Sequence, residues 1–435
     1  MKETVKPVRR LTGEIAIPGD KSISHRSVML AGLADGPVRI RNFLAAADCL
    51  STVACMRALG VKVDRPGENE LIVLGNGLYG LSEPEEVLDA GNSGTTIRLL
   101  SGILAGQPFL SVLSGDGSLR RRPMARVIAP LAKMGCRIYG REQSRYAPLA
   151  IVPADGIHGL DYTMPVASAQ VKSAILFAGM FADGPTRITE PYISRDHSER
   201  MFQTFGAKVT RSGLTVSLSP VQELSAPPII DVPGDISSAA FWLVAATIIP
   251  GSRLRLTNVG INPTRTGIID ILRQMGADIE ITALHQAGEE PVADLVVTSA
   301  ELVGTTIEGE VIPRLIDEIP VLAVAALFAK GRTIISGAEE LRVKETDRLR
   351  AVTLELTKMG ARIEETTDGL IIDGPQALTA ATCHSHDDHR MAMALAIAGL
   401  AAGGAEIEEA ECVAISYPRF FAQIAAFQEA AGGSE

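Results

Sequence analysis

The chain repeats one hydrophobic pattern six times. In each copy, an apolar run rich in Ala, Leu and Met ends near a glycine and continues into a segment typical of a β-strand. The six copies are 27–42, 98–112, 173–190, 240–258, 321–337 and 391–409. The glycines at their ends are 67 to 80 residues apart, a period too long for an ordinary solenoid. Runs that are apolar on every side predict helices buried in a core.

A second pattern alternates with the first and predicts an amphipathic helix that covers each buried one. A helix-like segment ends at a glycine, which supplies the left-handed conformation after the helix, and a short strand follows. The copies are ALGVKV (58–63), KMGCRI (133–138), TFGAKV (204–209), QMGADI (274–279) and KMGARI (358–363). A sixth copy is missing after FFAQIAAFQEAAGG, so the N-terminal segment is expected to supply its strand.

The two halves of the chain match each other. The motif IPGDKS at 17–22 returns as VPGDIS at 232–237, and the Pro-rich stretch 219–228 just before it is the best candidate for a linker. We therefore predict a mixed α/β fold with two similar domains of three units each. One domain is expected to comprise 1–19 plus 234–435, the other 20–233, with the active site in the cleft between them.

Unusual polar segments begin the six buried helices. Their Ser, Asn and Asp residues are expected to cap free backbone N–H groups. Capping does not explain the cations there, because a helix N-terminus favours an anion. These cations are Lys21, Arg26, Arg98, Lys172 and Arg390. We interpret them as marks of a multiply charged anionic ligand, bound by helix N-termini together with Lys and Arg side chains.

Three further basic clusters support this interpretation. They are SLRRRP (118–123), SRDHS (194–198) and RVKETDR (342–348). Alone, each would be an ordinary solvated surface, but they recur beside equivalent positions of the repeat. Lys344 and Arg348 would share a helix face if their segment is helical.

Composition excludes several classes of protein. Apolar residues make up 46% of the 435 residues, so a wholly disordered chain is excluded. The net charge of −10 argues against a general nucleic-acid or membrane-surface binder. The longest apolar run, 391–404, is shorter than the about 18 residues of a membrane helix. Because no secretory signal is recognisable, a cytoplasmic location is expected, with buried, reduced cysteines. The cysteines are Cys49, Cys55, Cys136, Cys383 and Cys412.

Other chemistries find less support in the motifs. The segment from His384 to His389 offers imidazoles and carboxylates for a metal, but the adjacent Arg390 would repel a cation. The phosphate-binding loop motif GxxxxGK[ST] is absent, so this nucleotide-binding motif is missing. A Ser–His–Asp triad stays open, although no GxSxG motif supports one.

Six motifs together resemble the 5-enolpyruvylshikimate-3-phosphate synthase family, in its bacterial class II branch. They are PGDKSISHR, GNSGTTIR, RRRPM, VASAQVKSA, LRVKETDRL and DDHRMAMA, in family order over about residues 15–421, with SRDHSE at 194–199 indicating class II. The resemblance implies two domains of three βαβαββ units. It also implies that the carboxyvinyl group of phosphoenolpyruvate passes to the 5-hydroxyl of shikimate 3-phosphate by addition and elimination, on the way to chorismate. The family needs no metal or organic cofactor, and a monomer is expected.

The resemblance also implies roles for the residues in these motifs. Asp317 would accept the 5-hydroxyl proton, Glu345 would transfer a proton at the methylene carbon, and Lys21 would assist proton transfer or neutralise charge. The residues implied to bind shikimate 3-phosphate are Lys21, Ser22, Arg26, Ser168, Ala169, Gln170, Arg195, Asp317 and Lys344. The residues implied to bind phosphoenolpyruvate are Lys21, Asn92, Gly94, Arg122, Gln170, Lys344, Arg348 and Arg390.

The chain departs from the family pattern at two positions. Ile415 replaces a lysine that some members carry before a final x-x-Pro, and Glu340 replaces an asparagine, so neither receives a role. Three rival functions stay open. UDP-N-acetylglucosamine enolpyruvyltransferases share the fold and donor but typically use a loop cysteine, which 115–123 lacks. A non-catalytic anion-binding regulator would not need Asp317 and Glu345. RNA-end processing fits poorly with the negative charge and the missing aromatic stacking motifs.

Overall fold

The polypeptide changes from one folded unit to another after Pro18 and after Pro233. In the computed structural model, which describes residues 1–432, unit 1 comprises 1–18, 234–285 and the chain from 291 onward. Unit 2 comprises 19–233 and the hairpin turn 286–290. The expectation of a linker at 219–228 is wrong, because this stretch lies within unit 2, where the Ser225 N–H donates to the Phe205 carbonyl over 2.9 Å.

The described chain, residues 1–432, contains fourteen α-helices. They are α1 Lys21–Leu33, α2 Ala47–Ala58, α3 Gly94–Ala105, α4 Ala125–Lys133, α5 Arg141–Ser144, α6 Ala169–Gly179, α7 His197–Thr204, α8 Ile236–Ile248, α9 Gly267–Gln274, α10 Ile312–Leu315, α11 Ile319–Phe328, α12 Arg348–Lys358, α13 His389–Ala401 and α14 Phe420–Gly432. Short 3₁₀ segments join several of them.

Residues 1–432 also contain twenty-three strands. They are β1 Lys2–Val5, β2 Thr12–Ala16, β3 Asp35–Arg41, β4 Lys62–Gly67, β5 Glu70–Asn76, β6 Leu88–Asp89, β7 Ser111–Ser114, β8 Arg137–Gly140, β9 Tyr146–Val152, β10 Asp161–Thr163, β11 Thr186–Thr189, β12 Val209–Ser212, β13 Thr215–Leu218, β14 Ile229–Asp231, β15 Arg253–Gly260, β16 Asp278–Ala287, β17 Glu290–Thr298, β18 Thr306–Ile307, β19 Gly331–Ile335, β20 Ile363–Glu365, β21 Leu370–Gly374, β22 Ala381–His384 and β23 Ala405–Glu408.

Five four-stranded sheets in this part of the chain share one topology. Their orders are β14-β3-β5-β4, β6-β7-β9-β8 and β10-β11-β13-β12 in unit 2, and β2-β15-β17-β16 and β18-β19-β21-β20 in unit 1. In every case the first two strands pair in parallel, and the second pairs antiparallel with the third. The repeated hydrophobic pattern therefore corresponds to a repeated unit of mixed sheet and helices.

The N-terminal strand completes the sixth sheet, as the sequence predicts, but it does not take the fourth place that the strands of the second pattern hold in the other five sheets. β22 pairs in parallel with β23, and β1 pairs antiparallel with the other edge of β23, in a register from Lys2–Glu408 to Val5–Ala405. β1 thus takes the place that the third strand occupies in the other five sheets.

The six apolar runs form the buried helices of the two cores. They are α1, α3 and α6 in unit 2, and α8, α11 and α13 in unit 1. All thirteen residues of α8 are buried, which confirms the prediction from its all-round apolar sequence. In unit 2, α3 and α6 approach so closely at Gly102 that a Cβ there would lie 2.3 Å from the Ala174 carbonyl oxygen. Only glycine permits this approach.

A glycine in the left-handed conformation ends each of five amphipathic helices. Gly60, Gly135, Gly206, Gly276 and Gly360 follow α2, α4, α7, α9 and α12, with φ between +82° and +105°. Because side chains with a Cβ are strained at such angles, these glycines stop the helices where the sequence pattern predicts.

The burial of the cysteines agrees with expectation. All five cysteines are buried. Among residues 1–432, no helix combines the length and the apolar character needed to cross a membrane.

Candidate active site

Side chains cap the starts of most buried helices, as predicted. The Asp20 carboxylate accepts from the Ile23 N–H over 2.9 Å, and the Ser93 hydroxyl oxygen accepts from the Thr96 N–H over 3.0 Å. Ser168, Asp235 and Asp388 make the corresponding bonds at α6, α8 and α13. The caps fix the backbone at the positions where the predicted site residues lie.

Asn92 and Arg122 lie together at the start of α3 in unit 2. An Nη2 of Arg122 donates to Oδ1 of Asn92 over 2.6 Å, and the Asn92 amide donates to Asp116 over 2.7 Å. Arg122 is buried, with 8% of its surface exposed. The structure thus brings together two of the residues predicted to bind phosphoenolpyruvate, although they are 30 residues apart.

Gly94 leaves room for two guanidinium groups at the same helix start. A Cβ on Gly94 would lie 2.7 Å from Nη1 of Arg98 and 3.3 Å from Nη1 of Arg122. Arg98 in turn donates to Oε1 of Gln170 over 2.6 Å, which joins the start of α3 to the start of α6. Arg98 is absent from the predicted binding set, although its place at a helix start marks it in the sequence.

The start of α1 carries Lys21 and Arg26 in different environments. The Lys21 ammonium lies 2.5 Å from the Asp48 carboxylate and remains partly accessible, with 16% of its side chain exposed. Arg26 is buried and donates to the hydroxyls of Ser198 and Ser173 over 2.7 and 2.8 Å. Ser22, which follows Lys21 in the sequence, is half-buried.

The interpretation that an external anion supplies the charge at every helix-start cation is wrong for Lys172. Its side chain has 0% exposure, and its ammonium lies 2.9 Å from Glu190 and 2.8 Å from Glu199. The chain's own carboxylates therefore balance this charge. Ser168, Ala169 and Gln170, one turn earlier on the same segment, stay half-buried.

Asp317 lies among three cations in unit 1. Its Oδ1 accepts from Nη1 of Arg348 over 2.9 Å and lies 3.8 Å from Nζ of Lys344 and 3.9 Å from Nε of Arg390. The Asp317 side chain retains 12% exposure. Positive charge within about 4–6 Å favours the ionised carboxylate, the form that a general base requires.

One buried arginine joins both predicted acid–base residues. Arg348 has 1% side-chain exposure and bonds to Asp317, Glu345 and Asp388, with Nη2 donating to Glu345 over 2.7 Å. Burial alone would lower the pKa of Arg348, but the carboxylates of Asp388, Glu345 and Asp317 outweigh it and raise this pKa further. The guanidinium is therefore permanently charged and orients both carboxylates.

Lys344 and Arg348 do not share a helix face, because the segment between them is not helical and the condition of the prediction is not met. A 3₁₀ segment covers Glu339–Val343, Lys344 is extended, and α12 begins only at Arg348. Both side chains nevertheless reach Asp317, because the turn at 344–347 directs them to it. Glu340, which received no role, lies 3.8 Å from the Lys344 ammonium.

The histidines of the metal hypothesis are engaged with carboxylates. His386 Nε2 lies 2.8 Å from Oε1 of the buried Glu355, and His384 Nε2 lies 3.0 Å from Glu408. No group of three or more His, Cys, Asp or Glu residues suited to a metal is found among residues 1–432. Ile415, which replaces the family lysine, packs half-buried against the core of unit 1.

Solved structures place this fold in a known class. The enolpyruvyl transferase NikO from Streptomyces tendae superposes with a TM-score of 0.79, covering 98% of this chain and 97% of its own, at 18% identity. At that identity, the likeness concerns the fold alone. The chain therefore has the enolpyruvyltransferase fold.

Sequence comparisons define the family. The model of the EPSP synthase (3-phosphoshikimate 1-carboxyvinyltransferase) family matches residues 5–424, and the chain belongs to this family. A 3-phosphoshikimate 1-carboxyvinyltransferase of Desulforamulus reducens is 54% identical over 421 residues, 97% of this chain and 98% of the relative. One of Bacillus cereus strain G9842 is 56% identical over 427 residues, 98% and 99% of the two chains. EPSP synthase of Acinetobacter baumannii superposes with a TM-score of 0.87 at 42% identity, covering 98% and 97%.

Proposed function

We propose that this chain transfers the carboxyvinyl group of phosphoenolpyruvate to the 5-hydroxyl of shikimate 3-phosphate and releases phosphate. Membership of the EPSP synthase family supports the reaction. The observation that carries the assignment of residues is the pair of hydrogen bonds from Arg348 to Asp317 and Glu345, over 2.9 and 2.7 Å. Plain anion binding would not require two carboxylates held around one buried guanidinium.

The addition moves two protons, one from the 5-hydroxyl oxygen and one to the methylene carbon, and Asp317 and Glu345 each serve one of these atoms. Asp317 takes the proton of the 5-hydroxyl while the hydroxyl oxygen bonds to carbon 2 of phosphoenolpyruvate. Glu345 delivers a proton to the methylene carbon, and the tetrahedral intermediate forms. In the elimination, the Glu345 carboxylate takes a proton back from the new methyl group as the bond from carbon 2 to the phosphate oxygen breaks. The double bond is restored, phosphate leaves, and Asp317 releases its proton to the phosphate. Each positioned acid or base contributes a factor of about 10² to 10⁴.

The cations neutralise and orient the substrates. In unit 2, Asn92 and Gly94 at the start of α3 and Arg122, which donates to Asn92, bind phosphoenolpyruvate, with Gln170 on the neighbouring helix. Lys21 assists proton transfer or charge neutralisation near both substrates. In unit 1, Lys344, Arg348 and Arg390 bind the carboxylate and phosphate of phosphoenolpyruvate.

The acceptor binds to a second set of residues. Charge-assisted hydrogen bonds and bidentate arginines suit its phosphate and carboxylate. The residues assigned to shikimate 3-phosphate are Lys21, Ser22, Arg26, Ser168, Ala169, Gln170, Arg195, Asp317 and Lys344. Pairing with cations and helix N-termini offsets the repulsion between two anionic substrates and fixes their orientation. We also propose that the protein acts as a cytoplasmic monomer.

A phosphate-release assay tests this function. Purified protein is incubated with phosphoenolpyruvate and shikimate 3-phosphate, and each substrate is omitted in turn. Release is expected only with both, together with an enol-ether product detected by mass spectrometry. Replacing the acceptor by UDP-N-acetylglucosamine is the matched control. If phosphoenolpyruvate releases phosphate with UDP-N-acetylglucosamine but not with shikimate 3-phosphate, the chain catalyses the rival enolpyruvyl transfer.

A further inference from the structure

Four charged side chains form a buried cluster in unit 2 that the proposed mechanism does not use. They are Lys172 on α6, Glu190 after β11, Glu199 on α7 and Arg211 on β12. Lys172 and Glu190 have 0% side-chain exposure, Glu199 has 8% and Arg211 has 25%. Two cations face two carboxylates, so the formal charges of the cluster cancel.

Lys172 holds three segments at once. Its ammonium donates to Oε2 of Glu190 over 2.9 Å and to the carbonyl oxygen of Ser194 over 3.3 Å, and it lies 2.8 Å from Oε1 of Glu199. An ammonium has three donors, and three acceptors surround this one. The helix that begins at Ser168 is thereby fixed to the segment 190–199.

Glu190 holds Ser194 a second time. Its Oε1 accepts a short hydrogen bond from the Ser194 hydroxyl, and its Oε2 also accepts from Arg211 over 3.2 Å. Both the hydroxyl and the carbonyl of Ser194 are therefore bound to the cluster. Arg195, assigned to the phosphate of shikimate 3-phosphate, follows directly and is half-buried.

The same cluster lies next to the two serines that accept hydrogen bonds from Arg26. The hydroxyls that receive hydrogen bonds from Arg26 belong to Ser173 and Ser198. Ser173 follows Lys172 in sequence, and Ser198 precedes Glu199. Arg195 thus follows backbone that the cluster fixes, and the two hydroxyls that hold Arg26 lie next to cluster residues in sequence.

Stability alone does not account for this arrangement. Desolvation of buried ions offsets much of their attraction, and apolar side chains of similar volume often stabilise a core as well or better. What the ionic cluster adds is direction, because each hydrogen bond fixes one segment at one position. A site that must match a rigid phosphate benefits from such fixing.

We propose that Lys172 and Glu190 are positioning residues for shikimate 3-phosphate, which fix Ser194 so that Arg195 meets the substrate phosphate. This inference rests on the proposed function, because it concerns the acceptor of that reaction. Neither side chain contacts the substrate; both act through the backbone and hydroxyl of Ser194.

The sign of one substitution separates positioning from plain electrostatics. Glu190→Gln keeps the shape of the side chain and removes one negative charge. Coulomb attraction alone predicts tighter binding of an anionic substrate after that change. Loss of positioning predicts weaker binding, because the amide does not hold both Lys172 and Ser194 as the carboxylate does.

Isothermal titration of the full-length protein with shikimate 3-phosphate measures the effect. For Glu190→Gln we expect the Kd to rise about tenfold, the loss typical of a displaced hydrogen bond to a charged group. The stoichiometry reports the folded fraction separately. Leu218→Ala in β13 of the same sheet is the control. It removes buried apolar contacts without touching the cluster, so its stoichiometry is expected to fall with no change in Kd.

A double-mutant cycle tests whether the effect passes through Arg195. Arg195→Ala is expected to weaken binding, and adding Glu190→Gln to it is expected to change the Kd less than twofold further. Additive losses in the double variant, or an unchanged Kd in Arg195→Ala, would overturn the inference. So would an unchanged or lower Kd in Glu190→Gln.

A second variant covers the case in which Glu190→Gln does not fold. Lys172→Met combined with Glu190→Met replaces the buried ion pair by apolar side chains of similar length, and the same rise in Kd is expected. If this double variant binds shikimate 3-phosphate with the Kd of the wild type, the proposal is refuted. If the wild-type protein neither binds shikimate 3-phosphate nor releases phosphate, the proposed function itself fails, which is a distinct result.

Discussion

Arg348 donates a hydrogen bond from Nη1 to Oδ1 of Asp317 over 2.9 Å. The guanidinium is always charged, and a positive charge this close favours the ionised carboxylate that a general base requires. The same guanidinium donates to Glu345 over 2.7 Å. Asp317 is thus ready to accept a proton, while Glu345 lies beside it on the same cation. The separate roles of the two carboxylates lead to the first prediction.

Asp317→Asn is expected to lower the turnover number at least about 10²-fold, the contribution of a general base. Shikimate 3-phosphate should still bind, because the amide keeps the shape of the side chain. Steady-state kinetics and titration of the substrate measure the two effects. The control is Asp373→Asn, which removes an exposed carboxylate of unit 1 paired with Arg332. Wild-type turnover in Asp317→Asn would remove this residue from the mechanism.

Arg122→Ala is expected to raise the KM for phosphoenolpyruvate by about 10- to 100-fold, since hydrogen bonds to charged groups contribute about 1.5–3 kcal/mol. The KM for shikimate 3-phosphate should change much less. Arg137→Ala serves as the matched variant, because Arg137 is an exposed arginine of the same sheet region that pairs with Asp155. An effect confined to shikimate 3-phosphate would show that the assignment of Arg122 is wrong.

Gly102→Ala is expected to destabilise unit 2 by about 1–3 kcal/mol, the usual cost of overpacking a core. The added Cβ would lie 2.3 Å from the Ala174 carbonyl oxygen, and backbone cannot move aside as a flexible side chain can. Urea unfolding followed by circular dichroism measures the change. For comparison, Gly156→Ala places its Cβ no nearer than 4.0 Å to the imidazole of His158, and its unfolding midpoint should stay close to that of the wild type.

A chain of buried hydrogen bonds sets the tautomer of His25. The Thr96 hydroxyl donates to Ser93 over 2.7 Å, so the Thr52 hydroxyl, 2.7 Å away, donates to Thr96. Thr52 must then accept from Nδ1–H of His25 over 2.6 Å. Burial, followed by the charges of Lys21 and Arg26, lowers the pKa of His25 well below 6.5.

This neutral histidine predicts a loss of stability in acid. Below about pH 6.5 the unfolded chain binds a proton at His25 that the folded chain does not, so the free energy of unfolding falls as the pH falls. One such group contributes a slope of at most about 1.4 kcal/mol per pH unit. Urea unfolding of the wild type and His25→Gln between pH 5 and 8 is expected to show a smaller acid loss in the variant. Equal slopes would mean that His25 takes up a proton in the folded state.

The cysteines are expected to be unreactive in the folded protein. Burial raises the pKa of Cys55, Cys136 and Cys412 to about 12. Few thiolates therefore form at pH 8, and reagents reach the sulfur atoms poorly. Titration with a chromogenic disulfide should give little reaction in buffer and five thiols per chain in guanidinium. Rapid reaction of one thiol in buffer would identify a cysteine that local opening exposes.

The sequence pattern predicts the repeated architecture well because its causes are local. Apolar runs, capping residues and helix-ending glycines act within a few residues, and α8, Ser93 and Gly60 appear where those rules place them. The use of an N-terminal strand in the sixth unit was also predictable, since the sixth copy lacked its strand, but its pairing with β23 as the third strand of that sheet was not.

The partners of the buried charges were not predictable in the same way. Glu190 and Glu199 lie 18 and 27 residues from Lys172, and nothing local marks them as its counter-charges. The burial of Arg348 among three carboxylates likewise depends on how α12 packs near the starts of α11 and α13. A cation at a helix start therefore indicates a need for negative charge, without saying whether a ligand or the protein supplies it.

The first strand of the chain, β1, covers an edge of β23 that would otherwise be unpaired. Deleting residues 1–5 would strip β23 of its antiparallel neighbour and leave the backbone N–H and C=O groups of Ala405–Glu408 facing outward. Bare strand edges of this kind recruit other chains and drive aggregation. A protein shortened by these five residues should therefore be less soluble, although every residue assigned to the active site is still present.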